Sequence, residues 1–106
     1  MPRDRELEET IVDDLGPLPG LSDKPMFGGL AWMLDEHLLC AVSTRGMLVR
    51  LGRGNDAWAL EHANITQARN MGGWVWAEPG VCADDQLRRR LLDAAVTFVG
   101  TLPGKA

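Results

Sequence analysis

Cysteine is scarce in this chain. Cys40 and Cys82 are the only two in 106 residues, and they stand far apart. Such spacing fits neither a zinc site nor a redox Cys-x-x-Cys pair, so both are read as buried free thiols that pack as small hydrophobes. Long apolar runs are missing too, since none approaches the ~20 residues that a membrane span needs. The start, Met1-Pro2-Arg3-Asp4-Arg5-Glu6, is charged and lacks an apolar segment. It does not read as a signal peptide, and the expected compartment is the cytoplasm. There is no excess of positive charge. The net charge is −4, which favours solubility and disfavours a general attraction to nucleic acid or anionic lipid. Neither Gly-x-x-x-x-Gly-Lys-Ser/Thr nor Gly-x-Gly-x-x-Gly occurs, so the pair Gly28-Gly29 is read as structural rather than as a phosphate loop. Only two histidines are present. His37 adjoins Asp35 and Glu36, but consecutive residues on a strand or turn point apart and do not converge on one ligand. His62, beside Glu61, reads as a helix-end residue. No Ser/His/Asp or Cys/His set has supporting spacing. The chain is therefore expected to be no enzyme and to carry neither metal nor cofactor.

What is present describes a small two-layer α+β domain spanning residues 1–106. With 45% hydrophobic and 25% charged residues, the chain has the composition of a folded domain and enough apolar material for one core. Residues 3–15 predict an amphipathic helix, because Leu7, Ile11 and Leu15 recur every four positions among acids. Asp4 is its N-cap and Gly16-Pro17 its stop. Residues 18–23 are too broken by proline and glycine for regular structure. Lys24-Pro25-Met26-Phe27-Gly28-Gly29 then leads into Leu30-Ala31-Trp32-Met33-Leu34. Lys24 is pushed toward an extended form by Pro25. Met26-Phe27 reads as strand entry, and the two glycines permit a bulge or close backbone approach. Leu30 to Leu34, His37 to Ser43 and Met47 to Leu51 read as three strands of an antiparallel meander. Asp35-Glu36 lacks the glycine of a tight primed turn, so a slightly longer turn is expected there. On the third strand, Met47, Val49 and Leu51 share one face, and Leu48 and Arg50 the other. Asn55 is expected to cap a short helix over residues 56–62. Residues 65–69 are a weak strand. Trp74-Val75-Trp76 is a strong one, with both tryptophans on one face. Glu78-Pro79-Gly80 reads as a turn. Asp84-Asp85 opens the last helix, whose apolar stripe is Leu87, Leu91, Ala94 or Ala95, and Phe98. Arg88-Arg89-Arg90 reads as a solvated face, and Gly104-Lys105-Ala106 as a free tail.

Taken in order, four of these segments resemble the TfoX N-terminal domain family, also called TfoX/Sxy. Lys24-Pro25-Met26-Phe27-Gly28-Gly29 resembles its most recognisable motif, and Leu48-Val49-Arg50 resembles its third hairpin strand. Arg69-Asn70-Met71-Gly72-Gly73-Trp74-Val75 resembles a Gly-Arg-Pro-Met-x-Gly-Trp-Val run, with Asn70 where that family often has proline. Leu102-Pro103-Gly104-Lys105 resembles a Leu-Pro-x-Lys ending. The resemblance implies a bacterial protein with element order α-β(3)-α-β(2)-α and kinship with regulators of competence-gene transcription. It also implies a single-domain member without the second, C-terminal domain of the full-length regulators. The motif and candidate interaction residues are Lys24, Met26, Phe27, Gly28, Gly29, Arg50, Trp58, Arg69, Met71 and Trp74.

Two binding expectations follow. The first is a regulatory protein–protein module acting through an exposed sheet edge or apolar patch, with Trp58 as an anchor, because tryptophan and arginine dominate many interfaces. A homodimer through a sheet or helix face is compatible with it. The alternative is a nucleic-acid-binding module that uses Arg45, Arg50, Arg53 and Arg69, with Trp32, Trp74 and Trp76 available for stacking. Against this alternative stands the simpler expectation that the tryptophans fill the core and the arginines pair with acids of the first helix.

Overall fold

The computed structural model describes residues 3–26 and 28–103. Phe27 of the glycine motif and the expected tail Gly104-Lys105-Ala106 lie outside the described residues. The elements in chain order are α1 (Arg5–Leu15), β1 (Leu21–Met26), β2 (Gly29–Leu34), β3 (His37–Ser43), β4 (Gly46–Arg50), α2 (Ala57–Leu60), β5 (Ile65–Gln67), β6 (Trp74–Ala77), α3 (Pro79–Cys82) and α4 (Asp85–Val99). The strands form one six-stranded antiparallel sheet in the order β1-β2-β3-β4-β6-β5. This is the expected α+β arrangement, extended by an edge strand and a short helix.

Strand alternation assigns the two sheet faces. One row of cross-strand partners runs Pro25, Leu30, Val42, Met47, Ala77, Ile65, and the next runs Asp23, Trp32, Cys40, Val49, Val75, Gln67. The central members of both rows join Ile11 and Leu15 of α1 and Leu91, Leu92, Ala95 and Val99 of α4 in the main core. Trp32 is its largest wholly buried side chain. Leu39 belongs to this core as well as Cys40, because the β2–β3 register shifts beside Trp32/Met33 and turns two consecutive side chains inward.

The structure departs from the sequence reading at several local points. Residues 21–23, expected to be irregular, belong to β1. They lack apolar alternation because β1 is an exposed edge strand, held by pairing with β2 rather than by burial. The Asp35-Glu36 turn is tight, with Leu34 paired to His37 and φ of 51° and 69° at the two turn residues. Both are left-handed, as a two-residue primed turn requires, and the Asp35 amide donates to the Gly20 carbonyl at 2.9 Å. The short helix α2 covers Ala57–Leu60 and not residues 56–62; Asp56 occupies its N-cap position without a side-chain cap bond, and the Asn55 side chain instead donates to the Leu51 carbonyl at 3.3 Å. Glu78-Pro79-Gly80 opens helix α3 instead of forming a bare turn, with proline in the first turn, where its missing amide is no loss. Asp4 and Asp84 do cap their helices, accepting from Leu7 and Leu87 amides at 3.0 and 3.1 Å. Gly29 bears out the close approach read from the motif: a Cβ there would overlap the Val42 carbonyl oxygen.

Candidate functional site

The buried apolar residues of all four helices fall in the core on one side of the sheet. Among the described residues, the other face has no helix over it and carries its own smaller apolar cluster. A third row of partners crosses that face through all six strands: Lys24, Ala31, Ala41, Leu48, Trp76, Thr66. Arg50 and Trp74 are paired one step along β4 and β6. Ala31, Ala41, Leu48 and Ala68 are buried here, and Met26, Leu38, Met71, Trp74 and Trp76 are half-buried around them. The alanines form a low floor between the larger side chains. Trp76 walls an open hollow of about 420 Å³. Leu48, Ala41 and Ala68 line its base, and Arg45 and Arg69 stand at its edge. That size falls within the ~300–1,000 Å³ of small-ligand pockets.

The electrostatics of this face differ from those of the chain as a whole. Residues 1–23 hold seven carboxylates against two arginines, a net of −5, so the remaining chain sums to +1. No strand places a carboxylate on the helix-free face among the described residues; Asp35, Glu36 and Glu78 belong to the turns at strand ends. Among the same residues, Arg45, Arg50, Arg53 and Arg69 form no ion pair. Two of them have other contacts. The Arg50 guanidinium lies 5.3 Å from the Trp74 ring centroid and 5.8 Å from that of Phe98, between two aromatics. Arg53 lies against Gly72, where a Cβ would come within 3.1 Å of its Nη1. Arg45 and Arg69 are exposed.

The expectation that the arginines pair with acids of the first helix is therefore met by a different set. Arg88 is 2% exposed, which corrects its reading as part of a solvated face. Its Nε donates to Asp14 Oδ2 at 2.6 Å, and its Nη1 to the Cys82 carbonyl and to Asp85 Oδ1 at 2.9 and 2.8 Å. Arg89 also donates to Asp14, at 3.1 Å. Burial opposes ionisation of Asp14, but the hydrogen bonds from Arg88 and Arg89 outweigh it and hold the carboxyl below its ordinary value. The expectation that the tryptophans fill the core holds for Trp32 alone, since Trp74 and Trp76 are half-buried on the helix-free face.

The other candidate residues are dispersed. Lys24 and Met26 lie on β1 at the far side of the helix-free face, with Gly28 in the following turn and Gly29 opening β2. Arg50, Met71 and Trp74 come together at its opposite side, with Arg69 at the edge of the neighbouring hollow beside Trp76, and the loop from residue 68 to residue 73 is folded so that the Gly73 carbonyl accepts from both Leu51 and Gly52 amides at 2.8 and 3.0 Å. Asn70 adopts a φ of 61°, a value closed to the proline common in the resembled family and open to asparagine. Trp58 lies elsewhere, half-buried against the main core with the Arg90 guanidinium 4.0 Å from its ring centroid. His37 Nε2 donates to the Pro103 carbonyl at 2.6 Å, tying the end of the described chain to β3. Leu48, Ala31 and Ala41 were not among the candidates, and Trp76 entered only as a stacking residue of the nucleic-acid alternative. The signal for them was the alternation of Leu48 with Val49 and of Trp76 with Val75, which placed them on the face away from the core.

Both thiols are buried and unpaired. Burial pushes Cys40 up to about 12 and Cys82 up to about 11. A thiol-disulfide reagent at pH 8 is therefore expected to label neither in the native protein over minutes and both in concentrated urea. Rapid labelling of the native protein would contradict this burial.

No protein-family model, curated protein or solved structure matches the chain. Among the described residues, no helix is long and apolar enough to cross a membrane.

Proposed function

We propose that this chain is a non-catalytic binding module of the TfoX N-terminal type with a regulatory role, and that it works through the helix-free face of its sheet on an anionic partner. The observation that carries the reading is the content of that face. It has two half-buried tryptophans, a buried aliphatic floor and, among the described residues, arginines without an ion pair and no strand carboxylate. An apolar face at the side of a small domain is a place where a partner gains by covering it. The local excess of cations selects the sign of that partner, even though the whole chain is negative, because exposed charges more than about 10 Å apart are largely screened at ordinary salt. The acids of α1 therefore do little to repel an anion on the opposite side of the sheet. Support for the family comes from the order of its motifs and the agreement of the α+β arrangement. A protein partner, the first expectation, would need to present an acidic segment. Trp58 is the weaker anchor, since it packs against the main core and not on the helix-free face.

Titration of the isotope-labelled protein with a short heparin oligosaccharide at low salt tests the reading. Amide and indole signals of Leu48, Trp74 and Trp76 should move, those of α1 should stay, and the effect should disappear by about 0.3 M salt. Movement confined to the helices, or none at low salt, would count against it.

A further inference from the structure

The proposed working face also carries the parts of a more specific site. We infer that the helix-free face binds single-stranded nucleic acid, with bases stacked on Trp76 and Trp74 and phosphates held by Arg45 and Arg69. The inference rests on that face being the working surface and adds the chemistry of its ligand.

Three features point this way. The first is spacing. Trp74 and Trp76 lie two residues apart on β6 and project from the same face, so their Cα atoms are about 7 Å apart. A stretched single strand presents successive bases at comparable intervals, whereas stacked duplex bases are too close together and have their faces hidden. The second is the pairing of an apolar ring with cations at one hollow. Trp76 walls the hollow, Leu48 and Ala41 form its floor, and Arg45 and Arg69 stand at its edge. A flat base lying on the indole would leave its phosphate within reach of either guanidinium. Thr66, the partner of Trp76 on β5, lines the same hollow and offers a hydroxyl to a base edge. An acidic peptide would satisfy the arginines but would leave the two indoles without a flat partner.

The third feature is extent. The row from Lys24 to Thr66 crosses six strands, five steps of ~4.8 Å each, or about 24 Å. That width lies at right angles to the Trp74–Trp76 line, so a strand that stacks two bases along β6 and then turns across the sheet has room for about four nucleotides, the lower end of single-strand site sizes. Lys24 supplies a further cation at the far end of the row, beyond the low floor of Ala31 and Ala41. The surface is wide and open rather than a deep groove, so it favours an extended strand over a free mononucleotide.

The test uses fluorescence anisotropy with labelled 12-nucleotide single strands of DNA and RNA, the matching duplex, a labelled poly-glutamate peptide and labelled heparin, all at low salt. The expected order places single strands at least tenfold tighter than the duplex or the peptide. Trp76→Ala should weaken single-strand binding about tenfold, with Trp76→Phe recovering most of it, because base stacking needs an aromatic face. Arg69→Gln alters an exposed side chain and should flatten the salt dependence by about 0.7 in log–log slope. Its melting temperature should match that of the unaltered protein. Equal binding of heparin, peptide and single strands, unaffected by Trp76→Phe or Trp76→Ala, would overturn the inference and leave the anionic-partner reading standing. Absence of binding to every probe would overturn both. Tight binding of the peptide alone would replace nucleic acid with an acidic protein.

Discussion

Replacing Arg88 by methionine is expected to lower folding stability by about 3 kcal/mol, the lower end of the cost of breaking a buried ion pair. The Asp14 carboxylate is 5% exposed and would lose its shorter partner, at 2.6 Å. The Cys82 carbonyl would also lose its 2.9 Å donor from Arg88. Arg89 would keep one hydrogen bond to Asp14, but its own side chain is 61% exposed, so it compensates only in part. At ~4–8 °C per kcal/mol for a domain near this size, the midpoint should fall by roughly 12–24 °C. The double variant Asp14→Leu/Arg88→Met should regain much of the loss, because it removes both charges together. A thermal or urea melt followed by circular dichroism decides the matter, and a single variant as stable as the parent would show that the pair contributes nothing.

The same pair sets a dependence on acid. The folded carboxyl of Asp14 lies below its ordinary value of 3.8. The stability it contributes is fully present above that ordinary value and is lost as the pH falls through the lower, folded value. Stability between pH 5 and pH 2 should therefore drop less steeply in Asp14→Asn, which starts lower, than in the parent.

The second large effect is in the core. Trp32→Ala should cost about 3–5 kcal/mol, because it removes the largest wholly buried side chain and opens a cavity in the main core. That is a large share of the ~5–15 kcal/mol by which small domains hold together. Trp76→Ala, on the half-covered face, should cost roughly 1 kcal/mol. Urea titrations of the two variants give the comparison directly. Equal losses would mean that the helix-free face is as tightly packed as the core, and the case for an open binding surface would fail.

Much of this architecture was legible because local chemistry and tertiary demand agree. The period of four in α1 and the Asp4 and Asp84 caps act within a few residues. So does the alternation of Met47, Val49 and Leu51 with Leu48 and Arg50. Chain order and element type therefore followed from the sequence. Other features depended on contacts remote along the chain. The strand Leu21–Met26 has no apolar alternation and exists because β2 supplies its hydrogen bonds. The tight turn at Asp35-Glu36 is held in a left-handed form by pairing on both sides and by the Gly20 carbonyl.

The site divides in the same way. The sequence by itself determined that Trp74 and Trp76 share a face, that Leu48 and Arg50 face away from Val49, and that acids gather before residue 24. Those are consequences of strand period and of composition. Only the tertiary structure decided which face the helices would cover, and hence which tryptophan is core and which is surface. It also chose among ten described cations, drawing Arg88 and Arg89 to Asp14 and leaving Arg45 and Arg69 without an ion pair among the described residues. The reason is physical: burial and charge pairing depend on which distant segments meet. Arg88 and Asp14 are 74 residues apart in sequence and 2.6 Å apart in the fold.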